Sequence, residues 1–255
     1  MEKDNMTQRP LIMITNDDGI QARGIRFLAE LVKPLGDVVV VAPDAPRSGG
    51  SAAITCAEVL RVKRWPDLDG VQMWAVNGTP VDCVKLGAAH VVPRKPDLLL
   101  SGINHGANTG NSVVYSGTMG ATLEGCMQKI NSIGFSLLSH KPEESDFEAC
   151  AESMLTIVKA VLEKGLPKGV CLNVNMPAGQ EVKGIRQARS CKGQWTEEYV
   201  RYTDPFGGTF YMLSGDYLNE EPEAEDTDLY WLSKGYVSVV PTVPNRDYDQ
   251  ELGLF

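Results

Sequence analysis

The sequence predicts an α/β fold: a Rossmann-like, mostly parallel sheet with helices on both faces. Two short runs rich in β-branched residues, 11–14 and 38–41, are typical of strands buried on both faces. Between them, apolar residues recur at helical spacing, at Ile25, Leu28, Ala29, Val32 and Leu35. Pro34-Leu35-Gly36 then supplies a helix stop. This is a β-α-β unit, which implies a parallel strand pair joined by a right-handed crossover.

The same alternation continues along the chain. Strands are predicted at 71–76, 97–103, 133–139 and 170–174, and helices at 79–92, 118–130 and 146–163. The second helix has a clear start, with Thr79 as N-cap, Pro80 at the first helical position and Asp82 in the first turn. Strands that alternate with helices in this way favour an open, mostly parallel sheet.

The pattern changes after Met176. Residues 184–214 alternate in polarity, and Gly207-Gly208 between Tyr202 and Phe210 predicts an antiparallel hairpin. Residues 216–228 are predicted to be an acidic surface loop, 230–234 a short helix and 235–240 another β-rich run. We therefore divide one structural domain into a Rossmann-like catalytic core, 1–180, and a C-terminal hairpin or arm region, 181–255, with a strand or helix returning to the core.

Charge and composition exclude several classes of protein. The chain has 255 residues and a formal net charge of −9, which repels nucleic-acid backbones, so polymeric nucleic acid is not an expected partner. The N-terminus lacks the apolar stretch of a signal peptide, and no run is long enough to span a membrane, so we expect a cytoplasmic protein. The six cysteines lie far apart without a CxxC pair and are expected to be buried thiols.

Polar segments follow the predicted parallel strands, where ligands bind in such sheets. Asp17 and Asp18 come after the first strand, Ser48 after the second, and Asn104 after the fourth. Two carboxylates with neutral oxygens from Ser48 and Asn104 form an all-oxygen site that suits Mg²⁺, Mn²⁺ or Ca²⁺. A divalent cation would balance the two adjacent negative charges. The alternative is that one aspartate caps the following helix while the other points to water.

Two further features are candidates for chemistry. Ser116-Gly117-Thr118 before a helix resembles an anion cradle, built from free backbone N–H groups and the positive end of the helix dipole. The alternative is that Thr118 is an ordinary N-cap. His105, next to Asn104, is a candidate proton donor to a leaving group, or an incidental loop histidine.

Several motifs together resemble the survival protein E (SurE) family. They are T-N-D-D-G-I at 15–20, A-P-x-x-x-R-S-G-G-S at 42–51, N-G-T-P-V-D-C-V at 77–84, S-G-I-N-H-G-A-N-T-G at 101–110, Y-S-G-T-M-G-A-T-L-E-G at 115–125 and, more weakly, T-D-L-Y-W-L-S-K-G-Y-V-S-V-V-P at 227–241. The matches run in order along most of the chain, whereas 184–228 matches poorly.

The resemblance implies a metal-dependent phosphatase that hydrolyses nucleoside 5'-monophosphates, and also 3'-nucleotides and short polyphosphate. It implies one divalent cation, Mg²⁺ or Mn²⁺, with Ca²⁺ as a substitute in crystals. Carried over by position, the metal ligands are Asp17, Asp18, Ser48 and Asn104, and the two aspartates are also the catalytic residues. Asn108, Ser116, Gly117 and Thr118 match the segment that lines the phosphate pocket. The resemblance further implies a homodimer or homotetramer built partly through C-terminal elements such as the hairpin.

Other classes of function stay open on the sequence alone. A phosphoacceptor receiver-like domain also carries an acidic pair after its first strand, but it would need about half this length and an acceptor aspartate at a later strand end. A haloacid-dehalogenase-like phosphatase would need D-x-D, whereas the acids here are adjacent. A non-catalytic or signalling nucleotide- or Mg²⁺-binding module is the remaining alternative, and turnover would distinguish it.

Overall fold

A computed structural model describes residues 9–245. It contains a nine-stranded sheet in the order β3-β4-β2-β1-β5-β6-β7-β13-β8 and two separate two-stranded sheets. The strands of the large sheet are β1 Leu11–Thr15, β2 Asp37–Pro43, β3 Val62–Leu68, β4 Val71–Val76, β5 Leu98–His105, β6 Asn131–Leu137, β7 Cys171–Met176, β8 Ile185–Gln187 and β13 Val237–Thr242. Its central strands, from β4 to β7, pair in parallel, which confirms the predicted fold class.

Helices cover both faces of this sheet. They are α1 Arg23–Val32, α2 Pro80–Leu86, α3 Gly117–Met127, α4 Glu144–Lys164 and α5 Asp228–Ser233. Residues of α1 and α4 pack into one buried cluster, which includes Ile25 and Phe147. Residues of α2 and α3 pack into another, which includes Val84 and Ala121. Burial on both faces explains why the strand sequences are continuously apolar rather than alternating.

The edge of the sheet beside β4 differs from the prediction. β3 was missed, and it runs antiparallel to β4. Its sequence, VKRWPDL, is mostly exposed and contains Pro66, which removes one backbone donor. Proline is tolerated on an edge strand because one side of that strand has no partner. A strand that buries so little carries no hydrophobic signal that sequence reading could detect.

The C-terminal region returns to the sheet. β13 pairs antiparallel with β7 and parallel with β8. The predicted hairpin is present as β10 Tyr199–Thr203 and β11 Thr209–Leu213, with Tyr202 opposite Phe210. The predicted core begins at residue 1 and the predicted arm region ends at residue 255. Residues 1–8 and 246–255 lie outside the described residues.

The prediction of an acidic loop at 216–228 is partly wrong. β12 Asp216–Asn219 pairs antiparallel with β9 Gly193–Thr196, and we call this two-stranded sheet the ribbon. The ring centroids of Trp195 and Tyr217 are 5.7 Å apart in an edge-to-face arrangement. Aromatic cross-strand pairs of this kind stabilise a short antiparallel sheet despite the acidic residues that follow.

Two smaller expectations have mixed outcomes. Five cysteines are buried and free as predicted, whereas Cys56 is exposed. The second predicted helix ends at Leu86 and continues as a π-helical turn, Gly87–Val91. Within residues 9–245, no helix is long and apolar enough to cross a membrane.

Candidate active site at the carboxyl ends of the strands

Asp17 and Asp18 directly follow β1, and the chain turns immediately after them. Gly19 has a φ of +92°, a conformation that side chains with a Cβ rarely adopt. The turn is closed by Asn16, whose Nδ2 donates to the Gly19 carbonyl at 2.9 Å. The alternative that one aspartate caps the following helix is wrong. That helix begins at Arg23, and its N-cap residue, Ala22, makes no side-chain capping bond.

Asp17 is only 3% exposed and lies against the N-terminus of α3. The Thr118 hydroxyl donates to Asp17 Oδ1 at 2.5 Å. A Cβ on Gly117 would lie 2.8 Å from the Asp17 Cβ, so glycine is what allows this close approach. The N-cap of α3 is Ser116, whose Oγ accepts from the Met119 N–H at 3.0 Å. The alternative that Thr118 is the N-cap is therefore wrong.

Asp18 is held at the end of β5. Its Oδ2 accepts from the His105 N–H at 3.2 Å, which brings the neighbouring Asn104 beside the aspartate pair. Asn104 and His105 are the last residues on β5 rather than part of a loop. The Asn104 Nδ2 donates to the Gly106 carbonyl at 2.8 Å, while its Oδ1 accepts no bond from any described residue. That oxygen is free to bind a cation.

Ser48 belongs to the loop after β2. The N–H of Arg47 donates to the Asp17 carbonyl at 2.7 Å, which fixes this loop against the turn that carries the aspartates. Ser48 itself is exposed, and its hydroxyl makes no hydrogen bond within the described part of the chain. Two of the four predicted metal ligands are the aspartates themselves. The other two, Ser48 and Asn104, each adjoin a residue whose backbone N–H bonds to one of the aspartates.

The Asp17-Asp18 pair carries an unbalanced negative charge. Burial raises the pKa of Asp17 to about 6; the hydrogen bond from the Thr118 side chain opposes this rise, and the charge of Asp18 adds to it. Burial also raises the pKa of Asp18, against the hydrogen bond from the His105 N–H. Neither carboxylate forms an ion pair with a described residue. Buried charges are normally paired or bind metals, so this arrangement calls for a cation.

The donors fit a hard divalent cation. The Asn16 Oδ1, next to the pair, is a further buried oxygen without a hydrogen-bond partner among the described residues. Residues 9–245 contain no cluster of three or more His, Cys, Asp or Glu side chains that would suit a metal. The proposed set has only two carboxylates, and its other donors are neutral oxygens. An all-oxygen set without histidine or thiolate suits Mg²⁺, Mn²⁺ or Ca²⁺ rather than zinc.

Asn108 lies in a buried polar network and makes no hydrogen bond to either aspartate. Its Nδ2 donates to Ser136 Oγ and its N–H to Asn175 Oδ1, both at 2.7 Å. Its carbonyl accepts from the Nδ2 of Asn173 at 2.8 Å. Its assignment to the phosphate pocket stays a prediction.

Sequence reading missed Asn173 and Asn175, which hold the Asn108 segment in place. Both are fully buried on β7. The detectable signal was two amides at alternate positions of an otherwise apolar strand. Such residues share one face, and when buried they need polar partners.

The His105 ring packs towards Phe147 of α4, with ring centroids 6.1 Å apart. Its Nε2 is buried without a hydrogen-bond partner among the described residues, and burial lowers its pKa. A role as proton donor to a leaving group stays a prediction.

Comparison with known proteins gives a consistent result. The family model for survival protein SurE matches residues 12–197. The chain is 45% identical over 236 residues to the 5'-nucleotidase SurE of Bacteroides fragilis, covering 92% of each chain. It is 47% identical over 238 residues to the 5'-nucleotidase SurE of Christiangramia forsetii, covering 92% of this chain and 91% of the relative.

A solved structure agrees with these relatives. The crystal structure of the SurE protein from Aquifex aeolicus superposes with a TM-score of 0.80 at 39% identity. The match covers 93% of this chain and 95% of the other. The similarity therefore extends into residues 184–228, which the sequence motifs matched poorly.

Proposed function

The chain belongs to the SurE family, and on that premise we propose that it is a metal-dependent 5'-nucleotidase, which hydrolyses nucleoside 5'-monophosphates to nucleoside and phosphate. The observation that carries the proposal is the Asp17-Asp18 pair, in which Asp17 is buried against the N-terminus of α3 and Asp18 is partly buried, with no cationic side-chain partner among residues 9–245. Curated relatives named 5'-nucleotidase SurE match nearly the whole chain. Neither a receiver-like domain nor a non-catalytic binding module is favoured by these relatives.

Asp17, Asp18, Ser48 and Asn104 are the residues that we assign to one divalent cation, Mg²⁺ or Mn²⁺, for which Ca²⁺ can substitute in crystals. When bound, such a cation acts as a Lewis acid towards a phosphoryl oxygen. Two observations support this assignment: the free oxygen at Asn104, and the backbone bonds from Arg47 and His105 that bring the loop after β2 and the end of β5 to the aspartates.

The N-terminus of α3 is the proposed phosphate site. The first N–H groups of a helix have no acceptor within the helix, and the helix dipole favours an anion there. Gly117 lets the first turn of the helix lie close against Asp17, and Ser116 fixes the start of the helix. Thr118 already donates to Asp17, so we assign it the additional task of orienting that carboxylate.

Asp17 is the proposed proton acceptor for the attacking water. Its Oδ1 is held by Thr118, which leaves Oδ2 for the proton. Asp18, tied to the β5 end through His105, keeps the second negative charge beside it.

Assembly and further substrates are also part of the proposal. The β10–β11 hairpin exposes apolar side chains, among them Phe206 at 98% and Leu213 at 71% exposure, which suits burial in a homodimer or homotetramer. We extend the substrates to 3'-nucleotides and short polyphosphate and place the protein in the cytoplasm. The net charge of −9 argues against polymeric nucleic acid.

The test is phosphate release from AMP, GMP and their 3' isomers by the purified protein, with Mn²⁺ or Mg²⁺ and with EDTA as the control. Release that EDTA abolishes and added metal restores is the expected result. Folded protein that releases no phosphate with either metal would instead favour a binding or signalling module.

A further inference from the structure

A 3-10 helix, Gly110–Tyr115, leads directly into Ser116 and the N-terminus of α3. In a 3-10 helix, side chains three residues apart lie on the same side. Ser112 and Tyr115 therefore share one side of this segment. The Tyr115 side chain is 58% exposed, although it lies only two residues before Gly117, which contacts Asp17.

Trp195 lies on that same side. Its indole Nε1 donates to Ser112 Oγ at 3.2 Å, and its ring packs edge-to-face on Tyr217. The Trp195 side chain nevertheless remains 38% exposed. A tryptophan that is held by a hydrogen bond and a ring contact, yet still presents part of its surface to solvent, is preorganised to receive a flat ligand.

The ribbon that carries Trp195 is attached to the 3-10 helix at several points. Asn111 Nδ2 donates to the Gly193 carbonyl at 2.5 Å, and the Asn111 N–H donates to the Tyr217 hydroxyl at 3.2 Å. The Gly110 N–H donates to Asp228 Oδ2 at 2.8 Å. These bonds join the ribbon, the 3-10 helix and α5 into one structural unit.

The loop after β2, which carries Ser48, meets this unit at Tyr115. The Ser51 N–H donates to the Tyr115 carbonyl at 3.1 Å, and Ser51 Oγ donates to the Val114 carbonyl at 2.6 Å. Ser51 is three residues beyond Ser48. The backbone of Tyr115 is therefore bonded to the loop that carries Ser48, and the 3-10 helix that ends at Tyr115 is bonded to the ribbon.

We propose that Trp195 and Tyr115 form a nucleobase subsite, in which the base of a nucleoside monophosphate stacks on exposed aromatic surface while its phosphate lies at Gly117. This inference rests on the proposed function and adds the residues that bind the base. Every nucleobase has a π-face, so stacking discriminates weakly between bases. The subsite thus favours a broad range of nucleotides over sugar phosphates that lack a base.

The kinetic test compares AMP with ribose 5-phosphate in the presence of metal. We expect Trp195→Leu and Tyr115→Leu each to raise KM for AMP by about tenfold, with kcat and the kinetics of ribose 5-phosphate little changed. Trp195→Phe keeps an aromatic face and should stay close to wild type. Equal losses with both substrates, or wild-type values for AMP in both leucine variants, would overturn the proposal.

A binding test separates this proposal from the activity itself. Adenosine, the reaction product, should quench tryptophan fluorescence, whereas ribose should not. The quenching should persist in the matched control Trp231→Phe and disappear in Trp195→Phe. Quenching that survives the loss of Trp195 overturns the subsite, whatever the turnover. The protein could also show Trp195-dependent quenching and yet hydrolyse neither AMP nor ribose 5-phosphate. That result would overturn the proposed hydrolysis and support the base-binding site.

Discussion

Thr118 donates its hydroxyl hydrogen to Asp17 Oδ1 at 2.5 Å, joining the first turn of α3 to the end of β1. The two residues are 101 positions apart in the chain, and both are almost completely buried. The bond fixes the orientation of a carboxylate that has no oppositely charged partner in the described part of the chain. It also lowers the pKa of Asp17, against the larger effect of burial, and so favours the ionised form.

Thr118→Val should therefore reduce turnover while leaving the fold intact. Valine has the same shape without the donor, and the loss of a bond that orients a metal ligand typically costs 10–100-fold, so we expect a decrease in kcat of about that size. Phosphate release from AMP and the circular dichroism spectrum together measure this. Thr118→Ser, which keeps the hydroxyl, should retain most of the activity. Wild-type turnover in the valine variant would show that the bond has no functional role.

Asp17→Asn and Asp18→Asn should each lower turnover by several orders of magnitude. Each change removes one of only two negative charges in the proposed cation site, and a metal supplies several kcal/mol of transition-state stabilisation. Exposed Glu30→Gln on α1 is the matched control for loss of one carboxylate. Near-normal phosphate release from both asparagine variants would rule out the aspartates as the site of catalysis.

Added Mg²⁺ or Mn²⁺ should raise the Tm of the wild-type protein. A ligand that binds only the folded state stabilises it by about 2.7 kcal/mol at a hundred times its Kd. The Asp17→Asn/Asp18→Asn double variant should show no such rise. Thermal unfolding with EDTA and then with excess metal makes the comparison without any assay of activity. An equal rise in both proteins would place the cation elsewhere.

In the metal-free protein, Asp17 should lower stability at neutral pH. Its pKa is raised from 3.8 to about 6, so the unfolded state releases the proton at lower pH than the folded state. The penalty is fully present above pH 6 and disappears as pH falls towards 4. From the size of the shift it amounts to roughly 2–3 kcal/mol.

Asp17→Asn should therefore unfold at higher urea concentration than the wild type at pH 8 with EDTA, and the two should converge near pH 4. Stability measured across this range, with Glu30→Gln as the control, gives the difference directly. A variant less stable than the wild type at pH 8 would contradict the charge argument.

The parts of the fold that could be predicted are those with local signals. β1, α1 and β2 follow from buried apolar runs and from helical spacing between them. β3 could not be predicted, because an exposed edge strand with Pro66 buries too little to show a pattern. β12 was hidden in an acidic stretch, since the Trp195–Tyr217 contact that stabilises it joins two separate segments.

The candidate site divides in the same way. Residue types and strand-end positions predict Asp17, Asp18, Ser48 and Asn104 as metal ligands, and this assignment stays a prediction. The bonds that bring them together could not be predicted, because the His105 N–H reaches Asp18 across 87 positions of the chain. Side-chain direction was also hidden: the Asn108 side chain donates to Ser136 on β6, while its backbone carbonyl accepts from Asn173 on β7.

Asp228 should be as important for stability as the residues of the core. It is fully buried, and its carboxylate accepts from the N–H groups of Gly110 at 2.8 Å, Cys191 at 3.0 Å and Leu229 at 2.8 Å. Asp228→Asn would replace one acceptor oxygen with an amide that faces N–H donors. Hydrogen bonds to a charged acceptor are worth about 1.5–3 kcal/mol, so we expect a loss of this order or more in the free energy of unfolding.

Because Gly110 begins the 3-10 helix that leads to Ser116, the same variant should also lose activity at temperatures where it remains folded. Urea unfolding and phosphate release at 15 °C separate the two effects. Asp226→Asn is the matched control, since Asp226 is largely exposed and Arg189 is its only partner within residues 9–245. If Asp228→Asn loses stability but keeps full activity, the bond to Gly110 holds the ribbon in place without positioning the active site.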